Sequence, residues 1–181
     1  MTDLWDDDPF DRAAVVAEYE EAGREFHRLL EQLDAADLRA PSDGTRWTNH
    51  QLLFHMLFGY LVVRALLVLV RVVSRLPAPI GRGFARLLDA GTRPFDAVNY
   101  WGSKWGAAFF PPRRLARAWD RVSASLLRRL RAEHERSLAR SMPFPTRWDP
   151  FFAPTMTLGE VYRYPSQHFW FHRQQLSAGI S

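Results

Sequence analysis

The sequence predicts an all-α fold: a four-helix bundle with an extra short helix between helices 2 and 3. Three observations point there. Apolar residues recur at three- and four-residue spacing through four long segments, and two of those segments open on helix-start signatures. No stretch shows sustained strand alternation, an Asn-Gly hairpin or an internal repeat. At 181 residues, with 47% hydrophobic and 24% charged side chains, the chain fits one domain, 1–181, large enough to bury a core.

The first helix is expected to open at Asp8-Pro9 and run to about Ala36, with Val15, Tyr19, Ala22, Phe26, Leu29, Leu30 and Leu33 as its buried stripe. His27 borders that stripe and reads as a boundary residue without a ligand role. Pro41-Ser42-Asp43-Gly44 is a turn. Thr48 and Gln51 then have capping-box spacing and open a second helix, expected to reach about Arg75. Its face through His55 carries Thr48, Gln51, Leu52, Gly59, Val62 and Leu66; Gly59, one turn beyond His55, lets a neighbour come close. The longest apolar run here, Met56 to Val63, is well short of the roughly 20 residues that span a bilayer. Arg64, Arg71 and Arg75 form one narrow stripe, and a core or dimer helix is the preferred reading.

Pro77-Ala78-Pro79 stops this helix, and Ile80 to Ala90 reads as the short extra one. Gly91 to Phe110, with its tryptophans and glycines, shows no clean period and is expected to be an irregular aromatic connection. Pro111-Pro112 starts a third long helix to about Arg136, with a core stripe of Leu115, Trp119, Val122, Leu126 and Leu130. The proline-rich run Met142 to Pro154 is an extended crossing. Thr157 and Glu160 form a second capping box, opening a last helix that contains Pro165.

Composition bounds the chemistry. There is no cysteine, which excludes disulfide scaffolds, thiolate metal sites and a protein-borne thiol nucleophile. The formal charge of +4 comes from many arginines and a single lysine, Lys104, spread over several segments. That dispersal reads as solvated basic faces, so neither a nucleic-acid nor a membrane partner is expected. The acidic N-terminus lacks the pattern of a secretory signal, which makes the cytoplasm the expected compartment.

The residues with chemical promise are in YRYPSQHFWFHRQQL, Tyr162 to Leu176. His168 and His172 are four apart, so on a helix both imidazoles leave one face about a turn apart. Two neutral imidazoles at that spacing can share one metal, with nitrogens about 2.0–2.1 Å from zinc. His55 is the best candidate for a third ligand. Spacing alone leaves a second reading open, in which the pair simply faces polar neighbours. Phe169 stands where the zinc-protease motif has its glutamate, so that class is excluded.

Two segments, DGTRWTNHQLLFHM and TLGEVYRYPSQHFWFHRQQL, together with WDPFFAPTMTL, resemble the DinB-like superfamily in helix order over nearly the whole chain. The resemblance implies a four-helix bundle with a zinc- or nickel-type divalent metal held by His55, His168 and His172. It also implies a link to low-molecular-weight thiols such as mycothiol, in thiol S-transferases and a mycothiol-dependent maleylpyruvate isomerase. Pro165 and the apolar extension from Leu61 to Ala90 depart from the family pattern. Gln51, Tyr164 and Gln175 are candidates for supporting the ligands or touching a small-molecule substrate. The rival reading is a non-catalytic bundle that binds or dimerises. Metal-assisted hydrolysis ranks last, because Glu160 is the one carboxylate on the ligand faces and such a reaction needs a nearby base.

Overall fold

Helix α1 (Arg12–Gln32) starts where the Asp11 carboxylate accepts the Ala14 N–H, 2.9 Å away. The computed structural model describes residues 10–177, so the expected start at Asp8-Pro9 lies outside the described residues. The helix also ends earlier than expected, because Asp34 competes for the chain. Its side chain accepts from Ala36 and Asp37, closing a capping box that opens a separate short helix, α2 (Ala35–Arg39).

The Thr48/Gln51 capping box is present and begins α3 (Asn49–Val73). By length and apolar composition this is the one described helix that could cross a membrane. Its surroundings are those of a core helix: α5, α6 and α8 pack on it, and Leu52, Leu53, Met56, Leu57, Tyr60 and Leu67 are fully buried. Arg71 of the arginine stripe pairs with Glu133, whose carboxylate also accepts from the Tyr162 hydroxyl at 3.1 Å. Pro77 precedes the short extra helix, α4 (Ala78–Ala90).

The segment expected to be irregular is a regular helix, α5 (Thr92–Phe109). Its period is inverted. Val98, Trp101, Trp105 and Phe109 are exposed, while Ser103 and Ala107 are buried against the bundle. Gly106 faces Phe54, and a Cβ there would collide with that ring. The glycines that resemble helix breakers are therefore the surface by which α5 lies flat on α3.

Pro111 and Pro112 start α6 (Pro112–Ala132), whose predicted stripe is buried throughout. It stops four residues short of the expected Arg136. Glu133 turns extended there, its carboxylate held by Arg71 and Tyr162 and its carbonyl by Arg12, and His134 precedes the short α7 (Glu135–Leu138). The proline-rich crossing is bracketed by a small antiparallel pair, β1 (Ser141–Pro143) and β2 (Thr155–Thr157), with Met142 opposite Met156. Between the strands, the Trp148 indole donates to the Leu88 carbonyl at 2.8 Å and its ring stacks on Phe95 at 4.1 Å. The crossing is thereby pinned to α4 and α5.

Thr157 and Glu160 cap α8 (Leu158–Arg173), which continues through Pro165. His168 and His172 lie beyond the proline in unbroken helix. Helices α1, α3, α6 and α8 make the four-helix bundle, centred on Trp119 stacked on Phe26 (4.1 Å) with Phe169 and Tyr60 edge-on or tilted against it. Overpacking gives a test of the α5 contact. Gly106→Ala is expected to cost about 1–2 kcal/mol, since overpacking by one methyl exceeds the helix-propensity gain. Gly83→Ala, in α4 with open space around its Cβ position, should instead stabilise by roughly 0.5–1 kcal/mol. Urea midpoints at unchanged m-value read both signs.

Candidate metal centre

Two capped helices meet with their histidines facing. Thr48 fixes the start of α3, which places His55 two turns in, on the buried side. The α8 cap sets His168 and His172 on the side that packs against α3. Gly59 decides how near they come: a Cβ there would sit 2.8 Å from His168 Nδ1, so any larger residue pushes that ring away.

The His55 Nε2 atom lies 3.1 Å from His172 Nε2 and 3.2 Å from His168 Nε2, and the three ligand atoms all fall within 4.8 Å of one another. Nitrogens on a tetrahedral zinc, with bonds of 2.0–2.1 Å, stand about 3.3 Å apart. The outer nitrogens explain which atoms face inward. His172 Nδ1 donates to the Gln175 amide oxygen at 2.6 Å, which leaves a lone pair on its Nε2. His55 Nδ1 is 3.2 Å from the Ser103 hydroxyl, which can hold the proton there in the same way. Inward lone pairs repel one another unless a proton or a cation lies between them, and a divalent cation fits all three. His168 Nδ1 is buried without a hydrogen-bond partner among the described residues.

Burial also disfavours the charged form of the rings. His55 and His168 are 4% and 3% exposed. Burial, and then the charge of His172, pushes His55 well below the usual histidine range, against a smaller opposing effect of Asn99. Burial, then His55 and His172, does the same to His168. Burial lowers His172 too, opposed by its bond to Gln175. Neutral imidazole is the form that binds metal.

The two faces of the cluster differ. On one side His55 and His168 join Gly59, Asn99, Tyr164 and Asp149 around a cavity with about 20 Å³ of water-sized space. On the other, His172 and Gln175 border a cleft of about 400 Å³ with Trp47, Asn99 and Tyr100. Trp47 stacks on His55 with ring centres 4.4 Å apart.

Each supporting residue expected from the sequence has a definite place. Gln175 orients His172. Tyr164 packs 5.5 Å from the His168 ring and donates its hydroxyl to Asp149 at 2.8 Å. Gln51 is elsewhere: its amide oxygen accepts the Thr48 N–H in the cap, and its side chain borders a separate cavity with Arg39 and Lys104. Sequence reasoning missed Asn99 and Ser103, although their four-residue spacing continues to Ala107 along the small-residue side of α5. It also missed Asp149, whose carboxyl is pushed up by burial, against the lowering hydrogen bonds from Phe151 N–H and Tyr164. Asp149 sits in a loop, so no periodicity could point to it. Two other histidines are engaged away from the cluster: His27 with Asp120 at 2.7 Å, and His50 with the Phe110 carbonyl at 2.9 Å.

Fold and cluster together define a helical-bundle protein with a three-histidine site that could hold a divalent metal. The chain belongs to the DinB superfamily, whose family model matches residues 18–176. No curated protein and no solved structure matches it.

The depressed histidines set a pH dependence for the metal-free protein. Burial holds all three below the ordinary histidine range, so the folded state takes up its protons at lower pH than unfolded histidine, near 6.5. The unfolded state then binds more protons, so these residues reduce stability as pH falls through about 6.5 and leave it flat above. Melting temperatures between pH 8 and 5 should show this fall, and His55→Phe/His168→Phe together should flatten it.

Proposed function

We propose that this DinB superfamily member is a metal-dependent enzyme acting with a low-molecular-weight thiol, such as mycothiol, on a small electrophilic substrate by transfer or isomerisation. The observation that carries the reading is the convergence of three imidazole nitrogens beside a cleft large enough for a small molecule. His55, His168 and His172 would hold a zinc- or nickel-type ion, leaving room for another ligand. Such an ion supplies Lewis acidity, which favours thiolate over thiol near neutral pH.

The chain's own residues do the rest. Gln175 keeps the His172 proton on Nδ1, and Ser103 can do the same for His55. Phe58, Val62, Phe95 and Phe152 surround the inner cavity and restrict water at the buried imidazoles. With no cysteine in the chain, the nucleophilic sulfur has to be brought in. That requirement suits the cytoplasm, where such thiols are kept reduced. A homodimer through the exposed apolar positions of α3, Val68 and Val72, belongs to the same reading; light scattering should give twice the 21.0 kDa chain mass.

Asp149 favours a second reading, metal-assisted hydrolysis. Its carboxyl borders the inner cavity with His55 and His168, and it would serve as the general base that such a reaction needs.

Elemental analysis, with activity assays on the loaded and the metal-free protein, tests both. Under the thiol reading one equivalent of metal co-purifies, and His168→Ala lowers its affinity at least tenfold, a ligand being worth more than the supporting groups whose loss costs about 10–100-fold. Thiol consumption then requires metal and survives Asp149→Asn within about tenfold, a loss well below that of a general base. Full thiol transfer by metal-free protein would rule the mechanism out. Ester hydrolysis without added thiol, lost about 10²-fold or more in Asp149→Asn, would select the hydrolytic reading.

A further inference from the structure

Arg46 stands on the loop that leads into α3, and that loop is tied down at several points. Ser42 N–H and its hydroxyl both donate to the Trp47 carbonyl, at 3.0 and 2.9 Å. Trp47 N–H donates to Thr45 Oγ1 at 3.1 Å, and Asp43 N–H donates to the Gln175 carbonyl at 2.8 Å. Gly44 supplies the left-handed turn, with φ 68°. The guanidinium of Arg46 lies over the Tyr100 ring, 4.7 Å from its centre. Tyr100 stacks at 6.3 Å on Trp47, and Trp47 stacks on His55. A continuous stack of flat groups therefore leads from the cleft to the imidazole cluster.

A guanidinium held by its face keeps its N–H edge for other partners, and that edge matches a carboxylate in two-point geometry. None of the described ion pairs involves Arg46. It is also the one arginine or lysine bordering this cleft, and Asp96 adds a negative charge to the same lining. Apart from the ion that the histidines would hold, the cleft has no general excess of positive charge, and recognition of an anion at its outer end falls to one residue.

We propose that Arg46 recognises a carboxylate, so that the cleft selects a small carboxylate-bearing molecule whose other end reaches the three-histidine cluster. This inference rests on the metal-centre reading above and deepens it by naming a ligand class and the residue that selects it. A cleft of about 400 Å³ suits one small organic molecule.

The test uses the full chain loaded with cobalt(II), titrated with 3-mercaptopropionate and with its methyl ester. The two probes share a skeleton and differ in the charge. Thiolate-to-cobalt absorption in the near ultraviolet reports binding, and metal content is measured in parallel. Wild type should bind the acid at least about tenfold tighter than the ester, the range of a charge-assisted hydrogen bond. Arg46→Met should abolish that preference while keeping ester affinity and cobalt content; Arg46→Lys should restore part of it. Equal affinity of wild type for the two probes would overturn the inference and leave the metal centre standing. So would a preference that survives Arg46→Met. Cobalt that fails to load, or loads equally in His168→Ala, would remove the metal-centre reading itself and this inference with it.

Discussion

The distance between α3 and α8 at Gly59 governs the rest of this structure. His168 lies where the first atom of a side chain at position 59 would have to go. Without that atom the two helices close far enough for His55 and His168 to bring their Nε2 atoms to 3.2 Å. One turn later on α8, His172 arrives from the same side at 3.1 Å. A glycine in mid-helix costs about 1 kcal/mol of propensity relative to alanine. Here the loss is offset by the burial of α3 in the core, where Leu52, Leu53, Met56 and Leu57 are inaccessible to solvent.

Close approach alone would give three imidazoles in arbitrary orientation. The polar atoms around them remove that freedom. Gln175 lies two residues beyond the last residue of α8 and reaches back to His172, while its own carbonyl holds Asp43. The same residue therefore orients a candidate ligand and anchors the loop that carries Arg46 and Trp47. On the other flank α5 brings Ser103 and Asn99 to His55. That helix can lie close only because Gly106 and Ala107 put almost nothing between its backbone and Phe54. Small residues at two helix contacts thus fix both sides of the cluster, and packing becomes chemistry through them.

What the sequence revealed depended on whether a signal was local. Both capping boxes are complete within four residues, and both appear as read. The paired histidines need only helical spacing, and α3 and α6 are recognisable from their stripes. Where the fold inverts a usual rule, reading failed. The outward tryptophans of α5 and its inward glycines read as an irregular connection when apolar residues are assumed to face the core. Gln51 has the right face for the site, but its amide is used in the cap, a demand that the same motif had already announced. Asp149 depends on a crossing fixed by Trp148 against Phe95 and Leu88, contacts far apart in the chain. Nothing local could place it.

The arginines complete the argument about access. Most of the polar-face arginines that reach a partner reach a carboxylate: Arg71 on Glu133, Arg28 and Arg173 on Glu25, Arg163 on Glu18, Arg12 on Glu135. Their charge is consumed locally, in pairs that tie α1 to α8 and α3 to the end of α6. These pairs draw Arg71, Arg173 and Arg163 into contacts between helices. Arg46 differs in resting on an aromatic ring at the cleft that reaches the imidazoles. The inner cavity, which shares Asn99 with this cleft, has space for little more than water. Of these two spaces beside the imidazoles, the cleft past His172, along the loop before α3 and α5, is the one with room for a small molecule. Whatever lies in that cleft is met by those two segments, while the core helices supply the position of the three nitrogens.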